Sequence, residues 1–276
     1  MAQLRAPGGC PWDREQSLAT LRTYLIEESH ELLDAIDGLA EAGQRDAVTI
    51  EAGAIQADPA AVADLREELG DVLLQVAFQS QIARECGWFD LDAVAHGIAD
   101  KMIRRHPHVF GAATAEHAGE VRDRWEQQKR QEGKGALDGV PKNLPGLLRA
   151  QRIGDKAARI GFDWPDASGP WAKIHEEMAE LREAEARGDR AAMQDELGDL
   201  LFAMANLARH LGVDAELGLR QTLDRFTNRF GHVERQAESR WGREHKASLD
   251  ELENLWQEAK QLEKLGQLPA AGRKRG

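Results

Sequence analysis

Along most of the chain, apolar positions recur with the 3.6-residue period of a helix. Leu18, Leu21, Leu25, Leu32, Leu33 and Ile36 form one such stripe, and Ile174, Met178 and Leu181 form another. The stretches Glu67 to Glu85 and Asp195 to Leu211 keep the same period over greater length. Asp90, ahead of Leu91-Asp92-Ala93-Val94, and Ser168, ahead of Pro170, read as helix N-caps. Gly87 and Gly212 stand where C-terminal caps belong. No alternating run of β-branched residues is long enough for a sheet, so the pattern predicts an all-α fold.

The pattern also repeats. Glu67-Glu68-Leu69-Gly70-Asp71-Val72-Leu73-Leu74 returns as Asp195-Glu196-Leu197-Gly198-Asp199-Leu200-Leu201-Phe202. A Glu-Glu-x-x-Glu precedes each copy, Glu27-Glu28-Ser29-His30-Glu31 and Glu176-Glu177-Met178-Ala179-Glu180. A Gly-x-x-Trp ending at Trp12 or Trp164 lies further upstream. Downstream come basic pairs four apart, Lys101 with Arg105 and Arg225 with Arg229, then His108-Val109 and His232-Val233. Trp-x-x-x-Lys closes each copy, Trp125 with Lys129 and Trp256 with Lys260. One order of features in both halves predicts two tandem helical-bundle repeats.

The expected boundaries are 1–135 for the first repeat, 136–149 for a linker and 150–265 for the second repeat. The linker follows from four Gly and two Pro between Gly133 and Gly146. Residues 38–59 read as an inserted surface loop, being rich in Ala, Gly and Gln with little apolar period. Residues 266–276 end in Arg273-Lys274-Arg275-Gly276 and read as a disordered basic tail.

Charge changes the picture of partners. With 36 basic and 48 acidic side chains, the net charge is −12, a poor match for a phosphate backbone, so no DNA or RNA partner is expected. A nucleotide held through a metal ion is a different matter. Two cysteines, Cys10 and Cys86, fit a reducing compartment and read as structural. No N-terminal apolar segment is visible, and the longest apolar stretch, Leu200 to Ala208, is too short for a bilayer. A cytoplasmic protein with no membrane partner is expected.

The candidate chemistry lies in the acidic motifs. Residues three or four apart share a helix face, so Glu177 and Glu180 project together, with Glu176 beside them. Glu196 and Asp199 do the same on the next helix. The short interval between Glu180 and Glu196 predicts antiparallel neighbours with converging carboxylates. Such groups repel unless protonated or neutralised by a cation, and oxygen ligands suit hard Mg²⁺. Solvated Glu-rich helix faces are common, but the Asp opens an apolar run and the whole set occurs twice. Gly70 and Gly198, unfavourable inside helices, suggest close packing or ligand approach.

Glu-Glu-x-x-Glu followed by Glu-x-x-Asp resembles the MazG family of all-α nucleoside triphosphate pyrophosphohydrolases. Gly9-Cys10-Pro11-Trp12-Asp13, Arg104-Arg105-His106-Pro107-His108-Val109-Phe110 and Gly161-Phe162-Asp163-Trp164 resemble its two-repeat bacterial members, from about residue 8 to 264. The resemblance implies Mg²⁺, with Mn²⁺ as a substitute, on Glu177, Glu180, Glu196 and Asp199. It implies a second possible set on Glu28, Glu31, Glu68 and Asp71. It further implies hydrolysis of nucleoside triphosphates, ribo or deoxy, to monophosphate and pyrophosphate, catalysis through the C-terminal copy, and a homodimer with helices pairing across it. Glu176 or Glu177 would serve as base.

A triphosphate leaving as pyrophosphate needs further cations. Arg225, Arg229 and Lys260, with Trp256, are the candidates for substrate binding, and Lys101, Arg105, Trp125 and Lys129 are their first-half equivalents. Core packing by the tryptophans and surface ion pairs for the cations are the plain alternatives. Some family members carry a Lys four residues before the Glu of the second motif. This chain has Ala192 and Asp64 there, with Arg190 two residues upstream of Ala192. His106 and His108 read as structural or as a substrate rim, and His175 and His210 have no partner pattern.

Two other classes compete. A di-iron carboxylate bundle needs two Glu-x-x-His motifs. Here Glu27-x-x-His30 is answered by Glu176-x-x-Ala179. A non-catalytic helical interaction or regulatory protein would use its acidic faces for solubility alone.

Overall fold

A computed structural model describes residues 1–41, 58–111, 117, 135–242 and 247–268. Most of the expected insertion, most of the basic tail, and Trp125 with Lys129 lie outside the described residues. The chain divides into two compact units, Met1–Glu126 and Gln127–Gly276. Among the described residues there are helices and no strands.

The first unit holds α1 (Ala2–Arg5), α2 (Pro11–Glu15), α3 (Leu21–Glu41), α4 (Pro59–Glu85), α5 (Leu91–Arg105) and α6 (Pro107–Phe110). Pro59 opens α4, whose cap Asp58 accepts from the Ala60 amide. Asp90 caps α5 through the Ala93 amide, as the spacing predicts. The long helices α3 and α4 pack against each other, and the core gathers Leu21, Phe78 and Ile82 with Met1 and Tyr24 against them. Arg5 fastens the N-terminal turn to α4. Its Nε donates to Glu85 at 3.0 Å, and its guanidinium lies 5.5 Å over the Phe78 ring.

The second unit holds α7 (Gly146–Ala158), α8 (Ser168–Arg187), α9 (Arg190–His210), α10 (Ala215–Trp241) and α11 (Leu249–Lys264). Since α7 starts behind Pro145, the last four residues of the expected linker 136–149 are helical. The expected cap Ser168 is instead the first residue of α8. Ala167 before it already has helical dihedrals, and Asp166 takes the Ser168 amide at 2.8 Å.

Helices α8 and α9 form an antiparallel pair joined by Gly188 and Asp189 alone. Gly188 takes φ 67°, a conformation that costs a side-chain-bearing residue, and Asp189 caps α9 through the Ala192 amide. Ile174, Ala203 and Leu207 form the core of the pair. The buried Gln151 stitches α7 to the α9–α10 turn, donating to Val213 O at 2.8 Å and accepting from the Ala215 amide. Helices α10 and α11 meet through Val233, Leu255 and Ala259, all buried, and through Phe226 against Trp256.

Apolar side chains also stand exposed on the long helices, Leu69, Leu73 and Leu74 on α4 and Leu197, Leu201 and Met204 on α9. No helix among the described residues is long and apolar enough to cross a membrane.

Candidate metal centre

The two-residue turn sets the level of the acidic residues. Glu180 stands eight residues before Gly188 and Glu196 seven after Asp189, so the two helices carry them at one height. Glu177 and Asp199 stand about one turn further from the hairpin. The carboxylates meet accordingly. Oxygens of Glu177, Glu196 and Asp199 lie within 4.8 Å of one another, as do those of Glu176, Glu177 and Glu180. Glu177 belongs to both sets and is the buried member, 2% exposed.

One oxygen of Glu177 pairs with the Lys173 ammonium, while Oε2 is buried without a hydrogen-bond partner. A carboxylate oxygen only accepts, so burial without a donor is costly and is relieved by a proton or a cation. The Glu196 carboxyl is pushed above its ordinary value by partial burial, then by the charges of Glu180 and Glu177 and their close approach. Both observations fit a site for a hard cation. Lys173 also reaches Glu176 Oε1 at 2.9 Å, and its pairing with Glu177 and Glu176 raises its pKa. Sequence reasoning passed over Lys173. Its placement three and four residues before the two glutamates was the available signal.

In the first unit, Glu28 from α3 meets Glu68 and Asp71 from α4, again within 4.8 Å. Burial and then the charges of neighbouring acids, Glu31 among them, push the Glu28 and Glu68 carboxyls upward. Glu68 Oε2 is buried without a partner, as in the second cluster. Among the described residues, three of each expected four therefore come together, Glu177, Glu196 and Asp199 in one unit and Glu28, Glu68 and Asp71 in the other, while Glu180 groups with Glu176 and Glu177 and Glu31 joins no such group. Gly70 and Gly198 do not serve close packing within their units, because a Cβ at either would meet nothing within 4 Å.

The expected substrate groups sit apart from this cluster in their contacts. Arg229 on α10 pairs with Glu263 and lies 5.7 Å over the Trp256 ring. Arg225 donates to Thr222 Oγ1 on its own helix. Among the described residues, no hydrogen bond or ion pair joins Arg225, Arg229 or Lys260 to the α8–α9 carboxylates. Lys101 and Arg105 lie four apart on α5.

A second network supports the hairpin. Asp163 accepts from Arg209 at 2.8 Å and lies 3.1 Å from His210 Nε2. The Arg209 hydrogen bond, with help from His210, lowers the Asp163 carboxyl to about 2 against the opposing effect of burial. The next residue, Trp164, packs so tightly over Gly169 that a Cβ there would meet the ring at 2.1 Å. The Gly-Phe-Asp-Trp string thus ties the start of α8 to the end of α9. His210, without a partner pattern in sequence, belongs to this tie.

Comparison with known proteins points in one direction. The model of the MazG nucleotide pyrophosphohydrolase domain matches residues 16–110 and 170–234, a segment in each half. The nucleoside triphosphate pyrophosphohydrolase of Escherichia coli strain K12 is 41% identical over 271 residues, 95% of each chain. A Thermotoga maritima protein named nucleoside triphosphate pyrophosphohydrolase/pyrophosphatase MazG is 38% identical over 260 residues, 94% of this chain and 92% of its own. The Mycobacterium tuberculosis nucleoside triphosphate pyrophosphohydrolase is 33% identical over 166 residues, 59% of this chain and 44% of its own.

Proposed function

The chain belongs to the MazG nucleotide pyrophosphohydrolase family, and from that premise we propose that it hydrolyses nucleoside triphosphates at the α8–α9 carboxylates. The substrates are ribo- and deoxynucleoside triphosphates, non-canonical ones included, and the products are the monophosphate and pyrophosphate. Glu177, Glu180, Glu196 and Asp199 hold Mg²⁺, for which Mn²⁺ substitutes, since all four offer hard oxygen donors. The observation that carries the reading is Glu177, a carboxylate 2% exposed whose Oε2 has no donor and which brings an oxygen within 4.8 Å of Glu196 and Asp199. When bound, the ion supplies charge neutralisation on the triphosphate and orientation of the attacking water.

This chain's own groups do the rest. Glu176, exposed beside the cluster, accepts the proton of the attacking water. Arg225, Arg229 and Lys260 from α10 and α11 take the phosphates, which requires Arg229 to leave Glu263, and Trp256 takes the base. The protein acts as a cytoplasmic homodimer with no nucleic-acid or membrane partner, in keeping with a net charge of −12 and two free cysteines. The dimer covers the exposed leucines of α4 and α9.

The second repeat carries the turnover. Its hairpin is closed by two residues, and the Asp163 tie fastens the segment before α8 to the end of α9. The first cluster, on Glu28, Glu31, Glu68 and Asp71, is a second cation site. The test is a panel of nucleoside triphosphates with Mg²⁺, product identity being read directly, on two double variants. Glu196→Ala with Asp199→Ala is expected to abolish pyrophosphate release, and Glu68→Ala with Asp71→Ala to retain it. The reverse result reassigns the site to the first repeat, and a nucleoside diphosphate as primary product refutes attack at the α-phosphorus.

A further inference from the structure

The two carboxylate clusters have the same ligand types, and among the described residues one contrast between them is a basic neighbour. In the second, the Lys173 ammonium touches both Glu176 and Glu177, the pair that opens the acidic motif. In the first, the matching place four residues before Glu28 holds Tyr24, whose ring stands edge-on to Trp12 at 5.7 Å between centroids. Tyr24 brings no positive charge. The charges acting on Glu28 and Glu68 are acidic, those of Glu27, Glu31, Asp64, Glu67 and Asp71 besides their own.

We propose that Lys173 is a built-in counter-ion of the second cluster and holds its affinity for a free divalent cation below that of the first. The inference rests on the reading of both clusters as cation sites. In the metal-free protein the ammonium offsets part of the repulsion among Glu176, Glu177 and their neighbours. An arriving divalent ion meets a positive charge already seated on Glu177, and the cluster gains less by taking it. The buried Oε2 of Glu177 remains open to the ion while the other oxygen stays with the lysine. Among the described residues, no ion pair joins a basic side chain to Glu28, Glu68 or Asp71, and the first cluster takes the free ion more tightly. The second therefore loads mainly when the cation arrives already paired with a triphosphate, whose negative charge outweighs that of the lysine.

The test is a Mn²⁺ titration of the full chain without nucleotide, with free Mn²⁺ followed by electron paramagnetic resonance. Glu68→Ala with Asp71→Ala leaves the second cluster alone, and Glu196→Ala with Asp199→Ala leaves the first. The second cluster is expected to bind Mn²⁺ about tenfold more weakly than the first. Adding Lys173→Met to the protein that keeps only the second cluster should tighten binding about tenfold, while Lys173→Arg should stay within about twofold. Lys173→Gln, a second neutral replacement, guards against a folding defect peculiar to Met. In chelator, both neutral variants should melt at a lower temperature than the parent and regain the difference with Mn²⁺. Unchanged or weaker Mn²⁺ binding in the neutral variants overturns the counter-ion role; the weaker case would make Lys173 a group that orients Glu177. A protein that keeps the second cluster and binds no Mn²⁺, with or without Lys173, overturns both this role and the cation-site reading. Pyrophosphate release is measured separately, so a failed catalytic assignment leaves this comparison standing.

Discussion

Glu196 shows how a single carboxyl records the strain of its neighbours. Its pKa is raised by burial and by Glu180 and Glu177, so the folded state binds its proton more tightly than the unfolded chain does. The sign follows directly. The penalty is absent below the ordinary value of 4.5, grows as pH rises towards the raised folded value, and is complete above it. Glu196→Gln is therefore expected to raise the metal-free melting temperature near neutral pH and to lose that advantage as pH falls below about 4.5. Thermal unfolding in chelator across that range checks it. With Mg²⁺ present the order should reverse, because the wild-type carboxylate then has a partner and the amide offers a poorer one. A variant no more stable than the parent at neutral pH without metal would sink this account of the cluster.

At the scale of elements, the tie between the start of α8 and the end of α9 has its own pH signature. Asp163 is depressed to about 2 by Arg209 and His210, so it stabilises the fold above its unfolded value of 3.8 and ceases to do so as pH falls through about 2. Asp163→Asn should cost about 1 kcal/mol near neutral pH, discounted because the pair is partly wetted, and the cost should shrink over that acid window. Urea unfolding of both proteins at several pH values measures it. This tie was hidden from sequence reasoning because Asp163 and Arg209 are 46 residues apart and no local period links them. The carboxylates were legible for the opposite reason, since helical spacing places Glu177 beside Glu180 and a short interval returns the chain to Glu196. The caps at Asp90, Gly87 and Gly212 were legible too, being set by neighbouring backbone. Ser168 was misplaced by one residue, since it opens the helix behind Ala167 and its amide goes to Asp166. The contacts of Arg229 depend on Glu263, a turn beyond the Trp-x-x-x-Lys motif that drew attention.

At the scale of the whole molecule, each unit buries a small core and leaves leucines in water, Leu73 at 64% and Leu201 at 46% exposure. In the proposed dimer a second copy covers them, which would account for helices this apolar. Leu73→Glu with Leu201→Glu is expected to shift the mass in solution from two chains to one, as read by analytical ultracentrifugation. A parent protein of single-chain mass at micromolar concentration would remove the basis for the dimer. Two further exposed leucines of these helices, Leu69 and Leu197, directly follow the acids Glu68 and Glu196. In the proposed dimer, covering these helices also takes water from around the carboxylates and makes the proposed cation worth more to the folded assembly. Association and cation uptake then become one linked equilibrium, and linkage runs both ways. Chelator should push copies apart, dilution should loosen the ion, and the dissociation constant of either process becomes a readout of the other.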